Sequence, residues 1–448
     1  KDEDKYDNHL VEDFVKIVGY HPLTIELIAK TLASSNLISL SDLLQMFEEK
    51  GIRFEGQNQI EMPSYERVEK TTTTFKCLSV AFDISSFEKE GHVVEILSVF
   101  AIAPVSGFLF DELLIYISRI NQFKIDETIQ TLLRKGWLSY FGNRIIMHPV
   151  IQEVLRIKLS VNIKSCHFYI ANVLSAIKES KTKRYNVLDT NKHISFAIAA
   201  FDHLYKDIDF ATVDDLALSK IGLSIGEYFF EHSDYNRALK YELKSLKILR
   251  KLYGEFDLGL KDILNNIAET YAFLGEYDKS LEYHERCLEI KLKLSPSDSE
   301  GIAASLNNLG NLYYYKDSYE MAVQCFKEAL DKWKECGNEF HLSSTMTNLG
   351  LNYYYLNNHE DAILYHKQAI EINEKIMGSD HPDLGRSYFG IVPSLISVGN
   401  FDGAEEYLTK AKNIFEKVFE PSHDLIADVN DWFLSIAKAR EEKSRDES

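Results

Sequence analysis

Asn308-Leu309-Gly310-Asn311-Leu312-Tyr313-Tyr314-Tyr315 and Asn348-Leu349-Gly350-Leu351-Asn352-Tyr353-Tyr354-Tyr355 are one phrase written twice in the C-terminal half of the chain. Asn266-Ile267-Ala268 with Tyr271 is a third copy. Ser280, Ala322 and Ala362 follow the small residue of the three copies, and Cys287, Ala329 and Ala369 come one helical stretch later. Gly226 and Ala238 mark an earlier copy, and Val392, Ala404 and Ala411 a later one. The anchors at 226, 268, 310, 350 and 392 are 42, 42, 40 and 42 residues apart, a period that signals stacked supersecondary units. Apolar residues at helical spacing around each anchor predict a pair of helices per copy. The small residues let the two backbones approach, while Tyr and Leu fill the space between neighbouring pairs. About five such pairs span 216–424. Leu425 to Arg440 reads as a capping helix over the last pair, and Ser444 to Ser448 as a frayed tail, within a closing segment 425–448.

The order of small residue, aromatic, Ala, aromatic and Ala resembles the tetratricopeptide repeat, and Met377 to Gly385 is similar to the linker of kinesin-light-chain-type repeats. The resemblance implies an α-solenoid whose first helices face a concave groove. Asn266, Asn308 and Asn348 fall on that face, with Glu269, Asn311, Tyr314, Tyr315, Tyr354 and Tyr355 beside them. Side-chain amides can bond the backbone of an extended ligand, and Tyr is a rigid amphipathic anchor. The expected partner is a protein or peptide. The same Asn ladder could instead stabilise the superhelix and the paired Tyr fill it. A carboxylate-clamp site is not expected, because its Lys/Arg positions are not filled.

The N-terminal third has a different texture. Val11 to Lys30 and Ser41 to Lys50 read as amphipathic helices in a segment 1–54, followed by a polar linker 55–74. Helices are expected around Phe75 to Ser85, Val93 to Val99, Phe110 to Ile117 and Ile125 to Lys135. Two short apolar runs then flank Gly142-Asn143 and predict a hairpin. Helices, hairpin and a further helix make 75–160 a winged-helix domain, with 161–215 a helical adaptor. The expected fold class is thus all-α with a small β-hairpin wing, ending in the repeat solenoid.

Gly19-Tyr20-His21-Pro22-Leu23 and Met147-His148-Pro149 resemble two phrases of the nucleotide-binding module in STAND ATPases, the group of plant resistance proteins and the apoptosome scaffold. The resemblance implies that Pro22 packs on a nucleotide base and that His148 reaches the phosphates of ADP and locks the resting state. A plain alternative is that Pro22 starts a helix and His148 caps one. No GxxxxGK[ST] phosphate loop occurs, so ADP or ATP with Mg is expected only in a longer protein, of which this chain, opening at Lys1 in a polar run, reads as a C-terminal portion. Self-oligomerisation on activation is part of the same expectation.

Other classes are disfavoured by composition. Of 448 residues, 50 are Lys or Arg and 69 Asp or Glu, a net charge of -19 that does not suit phosphate neutralisation on nucleic acid. The five cysteines are scattered without a CxxC pair, which suits a reducing cytoplasm. The apolar window from Val93 to Phe110 is broken by Glu95, Pro104 and Gly107, so it reads as core helix and turn, not a membrane span. Gly222 to Gly226 spells the GxSxG string of hydrolases, yet it sits inside a predicted helix with no strand before it. His284 and His366 share one repeat position where an aromatic ring is expected, so they read as core residues and not metal ligands. The leading expectation is the sensor and autoinhibitory switch of a microbial NLR-like protein, the solenoid taking a protein trigger such as a phage component. A STAND-type transcription regulator and a tetratricopeptide scaffold or adaptor are the rivals.

Overall fold

The computed structural model describes residues 11, 25, 26, 29, 40, 87, 90–182, 187–205 and 213–446. Pro22, nearly all of the 1–54 segment, the 55–74 linker and the helix expected over 75–85 lie outside the described residues. The chain divides into two compact units, 1–228 and 229–448. Both are helical, and among the described residues the named strands form a single two-stranded sheet.

In the first unit α1 (Gly91–Ile102), α2 (Phe110–Tyr116) and α3 (Gln122–Arg134) precede β1 (Ser139–Phe141) and β2 (Arg144–Ile146). Next come α4 (Pro149–Lys158), α5 (Ile163–Thr182) and α6 (Val187–Leu204). The element order is the expected one. Every residue of α1 from Ile96 to Ile102 is buried, which is why its sequence is apolar all round and not on one stripe. The antiparallel strands pair Ser139 with Ile146 across a turn in which Gly142 takes φ +60, the left-handed first position of a II′ turn. Arg144 on β2 fixes the hairpin to the rest of the unit. Its guanidinium donates to the Ser106 carbonyl at 2.9 Å, the Gly107 carbonyl at 2.8 Å and the buried Glu112 carboxylate at 2.8 Å. Lys192 on α6 meets the other Glu112 oxygen at 3.2 Å, so the buried charge is compensated from two sides. Phe108 stacks on Phe196 at 4.9 Å, and the Tyr116 hydroxyl meets His193 Nδ1 at 2.6 Å, which ties α2 to α6 through their core.

The division between the units falls within α7 (Val213–Glu231). After it come α8 (Tyr235–Tyr253), a 3-10 turn at Leu258–Leu260, α9 (Lys261–Phe273), α10 (Tyr277–Leu294), α11 (Ser299–Tyr315) and α12 (Tyr319–Cys336). The chain continues with α13 (Glu339–Tyr355), α14 (His359–Ile376), α15 (Pro382–Gly390), α16 (Val392–Ser397), α17 (Phe401–Val418) and α18 (Asp424–Asp446). These are helical repeats forming a solenoid. Each first helix ends on one left-handed residue: Ser233, Gly275, Asp317, Asn357 and Gly399, with φ of +59, +76, +55, +57 and +75. These positions keep the anchors' intervals. The amide of the next residue bonds back over the helix end, from Asp234 to the Phe229 carbonyl at 2.8 Å, Glu276 to Tyr271 at 2.9 Å, Ser318 to Tyr313 at 2.9 Å, Asn358 to Tyr353 at 2.9 Å and Asn400 to Leu395 at 2.9 Å. This closure satisfies helix-end carbonyls, and Asp234, Asn358 and Asn400 then cap the following helix with their side chains.

The anchors are small because a ring lies over them. A Cβ on Gly310 would stand 2.7 Å from the buried Phe326 ring, and one on Gly350 would stand 2.8 Å from that of His366. At Ala268 the same closeness lets Ser280 Oγ donate to the Ala268 carbonyl at 2.7 Å.

Two expectations fail in detail. The first helix of the fifth pair is broken at Ile391 into α15 and α16, because Pro393 has no N–H to donate and its ring crowds the carbonyl four residues back. The last helix does not fray at Ser444 but runs on to Asp446. Arg440 on this extended helix reaches back to Asp402 at 2.6 Å and Glu405 at 2.9 Å on α17.

Candidate ligand-binding face of the repeats

The first helices α9, α11 and α13 are linked by side-chain amides. Asn308 donates through Nδ2 to Asn265 Oδ1 at 3.4 Å, and Asn348 through Nδ2 to Asn311 Oδ1 at 3.2 Å. Thr345 Oγ1 donates to Asn307 Oδ1 at 3.1 Å, and Asn265 Nδ2 to Glu269 Oε1 at 2.7 Å. Asn308, Asn311, Asn348 and Glu269, expected to face a ligand, are half-buried, and their bonds run between and along neighbouring first helices, as the alternative of a ladder that stabilises the superhelix requires. Asn266 is half-buried and outside this ladder, in which Asn265, one residue earlier, takes part. Asn265 and Asn307 were missed because the phrase was aligned on its most regular Asn, whereas a ladder needs the one whose side chain faces the next helix.

The tyrosines behave differently. Tyr315, last in α11, stacks on Tyr277, first in α10, with centroids 5.9 Å apart and planes at 10°. Tyr355, last in α13, stacks on Tyr319, first in α12, at 4.9 Å and 8°. Phe273 and Tyr235 repeat the arrangement one unit earlier at 5.2 Å and 21°. The end of one first helix therefore leans on the start of the preceding pair's second helix. Tyr314 joins the stacks, edge-on to Tyr315 at 5.6 Å and tilted to Tyr355 at 5.7 Å, and Tyr354 extends the run to His359 at 5.6 Å. The result is a continuous run of seven rings, from Tyr277 to His359, at the turn ends of three successive pairs. Tyr315 and Tyr355 in it remain 60% and 43% exposed, too open for rings that only fill a core. Burial first, and a hydrogen bond with Tyr355 second, push the Tyr314 phenol well above its usual range, so it is a neutral donor or acceptor at any physiological pH.

Charge along the run is mostly negative. Asp278 is paired with Lys316, and Asp317 accepts the Tyr319 hydroxyl at 2.7 Å. Glu320 and Glu360 are exposed beside Tyr319 and His359. As second residues of α12 and α14 they also sit where a helix N-terminus favours an anion.

The remaining candidates resolve simply. His284 and His366 are 2% and 1% exposed, and burial lowers both imidazoles to about 4, with Lys291 adding to the effect at His284. They are neutral core rings, and no group of residues among those described could hold a metal ion. Gly222 to Gly226 lies within α7, so its serine has no strained strand-to-helix turn. His148 is the exposed N-cap of α4, its Nδ1 accepting from the Val150 amide at 3.2 Å, with Pro149 in the first turn. No helix among the described residues is long and apolar enough to cross a membrane.

Residues 220–293 and 301–375 match the sequence pattern described as Tetratricopeptide repeat, so the four pairs from α7 to α14 are repeats of that class. No curated protein matches the chain. Among solved structures, BtubC (BKLC) from P. vanneervenii is 21% identical over 57% of this chain and 93% of its own, with a TM-score of 0.42. A signal transduction ATPase with numerous domains and a tetratricopeptide repeat sensor, from Pyrococcus horikoshii, is 16% identical over 94% of this chain and 72% of its own, with a TM-score of 0.44. The apo form of the quorum sensor NprR from B. thuringiensis is 15% identical over 62% and 73%, with a TM-score of 0.45.

Proposed function

We propose that this chain is the sensor and switch portion of a STAND-type signalling ATPase, its repeats taking up a protein trigger such as a phage component in antiviral defence. The observation that carries the reading is the seven-ring run: a rigid aromatic strip across three repeats, open to solvent at Tyr315 and Tyr355. The trigger's binding energy would favour one arrangement of the winged-helix region over another. In the longer protein, Pro22 would pack on the base of ADP and His148 would meet its phosphates. The position of His148 directly after the hairpin supports this, since a wing that moves carries the histidine with it. A phosphate loop elsewhere in the longer protein, which this sequence does not contain, would hold the nucleotide with Mg for hydrolysis, and self-association would follow exchange of ADP for ATP.

The test is capture on the immobilised chain, wild type against Tyr315→Ala/Tyr355→Ala, from phage-infected and uninfected bacterial lysates. A phage protein taken up from infected cells by the wild type and lost from the variant supports the reading. A host protein held equally by both moves it to a scaffold or adaptor, and retention on DNA at low salt to a transcription regulator.

A further inference from the structure

We infer that the ring run docks an arginine-bearing extended segment of the trigger, with guanidinium planes lying on Tyr315 and Tyr355 and the carboxylates of Glu320 and Glu360 taking their charge. This rests on the proposed role of the face and names its ligand chemistry.

Three observations lead there. The two rings are stacked on one partner each, Tyr277 and Tyr319, and stay 60% and 43% exposed, so an arriving planar group extends a stack that is already built. An acid follows the second-helix ring of each stack: Asp278 after Tyr277, paired with Lys316, and Glu320 after Tyr319, exposed and in no ion pair among the described residues. Glu360, also exposed, follows His359 at the end of the run. The lysines nearest the run in sequence, Lys279 and Lys316, are held by Glu276 and Asp278 and are not free to pair with Glu320 or Glu360. A chain of net charge -19 also attracts a cationic segment at long range. Of the two cationic side chains, arginine fits better, because its planar, weakly hydrated guanidinium stacks on a ring while donating sideways to a carboxylate; an ammonium is a compact, strongly hydrated charge. The pairs recur at 277/315 and 319/355, one repeat apart, so the ligand would present two arginines on one side of an extended backbone.

The test uses the whole chain and three labelled peptides of equal length: one with two arginines spaced in Gly-Ser, its lysine counterpart and its glutamate counterpart, read by fluorescence anisotropy. The arginine peptide is expected to bind about three- to tenfold tighter than the lysine peptide, with no binding of the glutamate peptide. Tyr315→Ala/Tyr355→Ala should abolish the arginine preference, and Glu320→Gln/Glu360→Gln should weaken binding about tenfold and flatten its salt dependence. Circular dichroism melts confirm that both variants fold. Equal binding of arginine and lysine peptides, or binding that survives the tyrosine variant, overturns the inference. A trigger captured in a tyrosine-dependent way but indifferent to the glutamate variant leaves the proposed function standing and overturns only the arginine chemistry. Capture that ignores the tyrosines removes both.

Discussion

Gly310 shows how little room the repeat leaves at its anchor. In an exposed helix interior, Gly→Ala is favourable by about 1 kcal/mol, yet a methyl here would stand 2.7 Å from the Phe326 ring, which is fully buried and cannot swing aside. Overpacking should win, and Gly310→Ala is expected to destabilise by about 1–2 kcal/mol in urea unfolding, with Gly310→Ala/Phe326→Leu recovering part of the loss. The ring at the equivalent place in the fourth pair is His366, and its burial makes a pH prediction. Above pH 6.5 the imidazole is neutral folded or unfolded. Below it, the unfolded ring takes a proton that the folded one refuses until about pH 4. Stability from this residue is therefore full above the unfolded pKa and falls as pH drops from 6.5 toward 4, by about 3 kcal/mol in all. His366→Phe, the aromatic that Phe326 already supplies, should flatten the pH dependence of the urea midpoint in that window; an unchanged slope would show that the ring is protonated in the fold.

At the scale of elements, the five turns are one device made with different residues. Gly275 and Gly399 adopt the left-handed conformation freely, whereas Ser233, Asp317 and Asn357 hold it against their own side chains. Nothing lies within 4 Å of a Cβ at Gly275, so Gly275→Ala measures the backbone cost alone, expected at about 1–2 kcal/mol in thermal or urea unfolding. Ser233→Gly should be neutral or stabilise by a few tenths, since relief of the strain offsets a more flexible unfolded chain. Equal losses from both would mean that the turns matter through side-chain contacts and not through φ. These turns also show what was legible in advance. The helix pairs, their anchors and their period could be read because each small residue answers a ring within its own pair. The stacking of Tyr315 on Tyr277 could not, since it depends on which end of the neighbouring pair lies opposite. For the same reason the bonds from Asn308 and Asn348 to the helix before them could be offered only as an alternative to a ligand contact. The break at Ile391 was legible in Pro393, although the anchor at Val392 suggested an unbroken helix.

Across the whole second unit, stability should behave as a sum of pairs and their interfaces, because each repeat touches little beyond its neighbours. The end of the array tests this. α18 buries Ile426, Val429 and Ile436 against Leu408, Ala411 and Phe415 of the fifth pair, with Trp432 and Phe433 packed at the margin. At about 1.5–3 kcal/mol for each fully buried aliphatic side chain, losing this helix should remove more than the last pair can spare. Arg440, by contrast, sits in exposed ion pairs with Asp402 and Glu405, and Arg440→Ala should cost under about 1 kcal/mol. Deleting 421–448 is therefore expected to release amide-exchange protection in α15, α16 and α17 while α11 to α14 keep theirs. A rise in exchange spread evenly from α8 to α17 would instead mean that the array unfolds as one block. In that case a trigger seated at α11 to α13 would be felt at both ends of the solenoid at once, and not mainly by the pairs beside it.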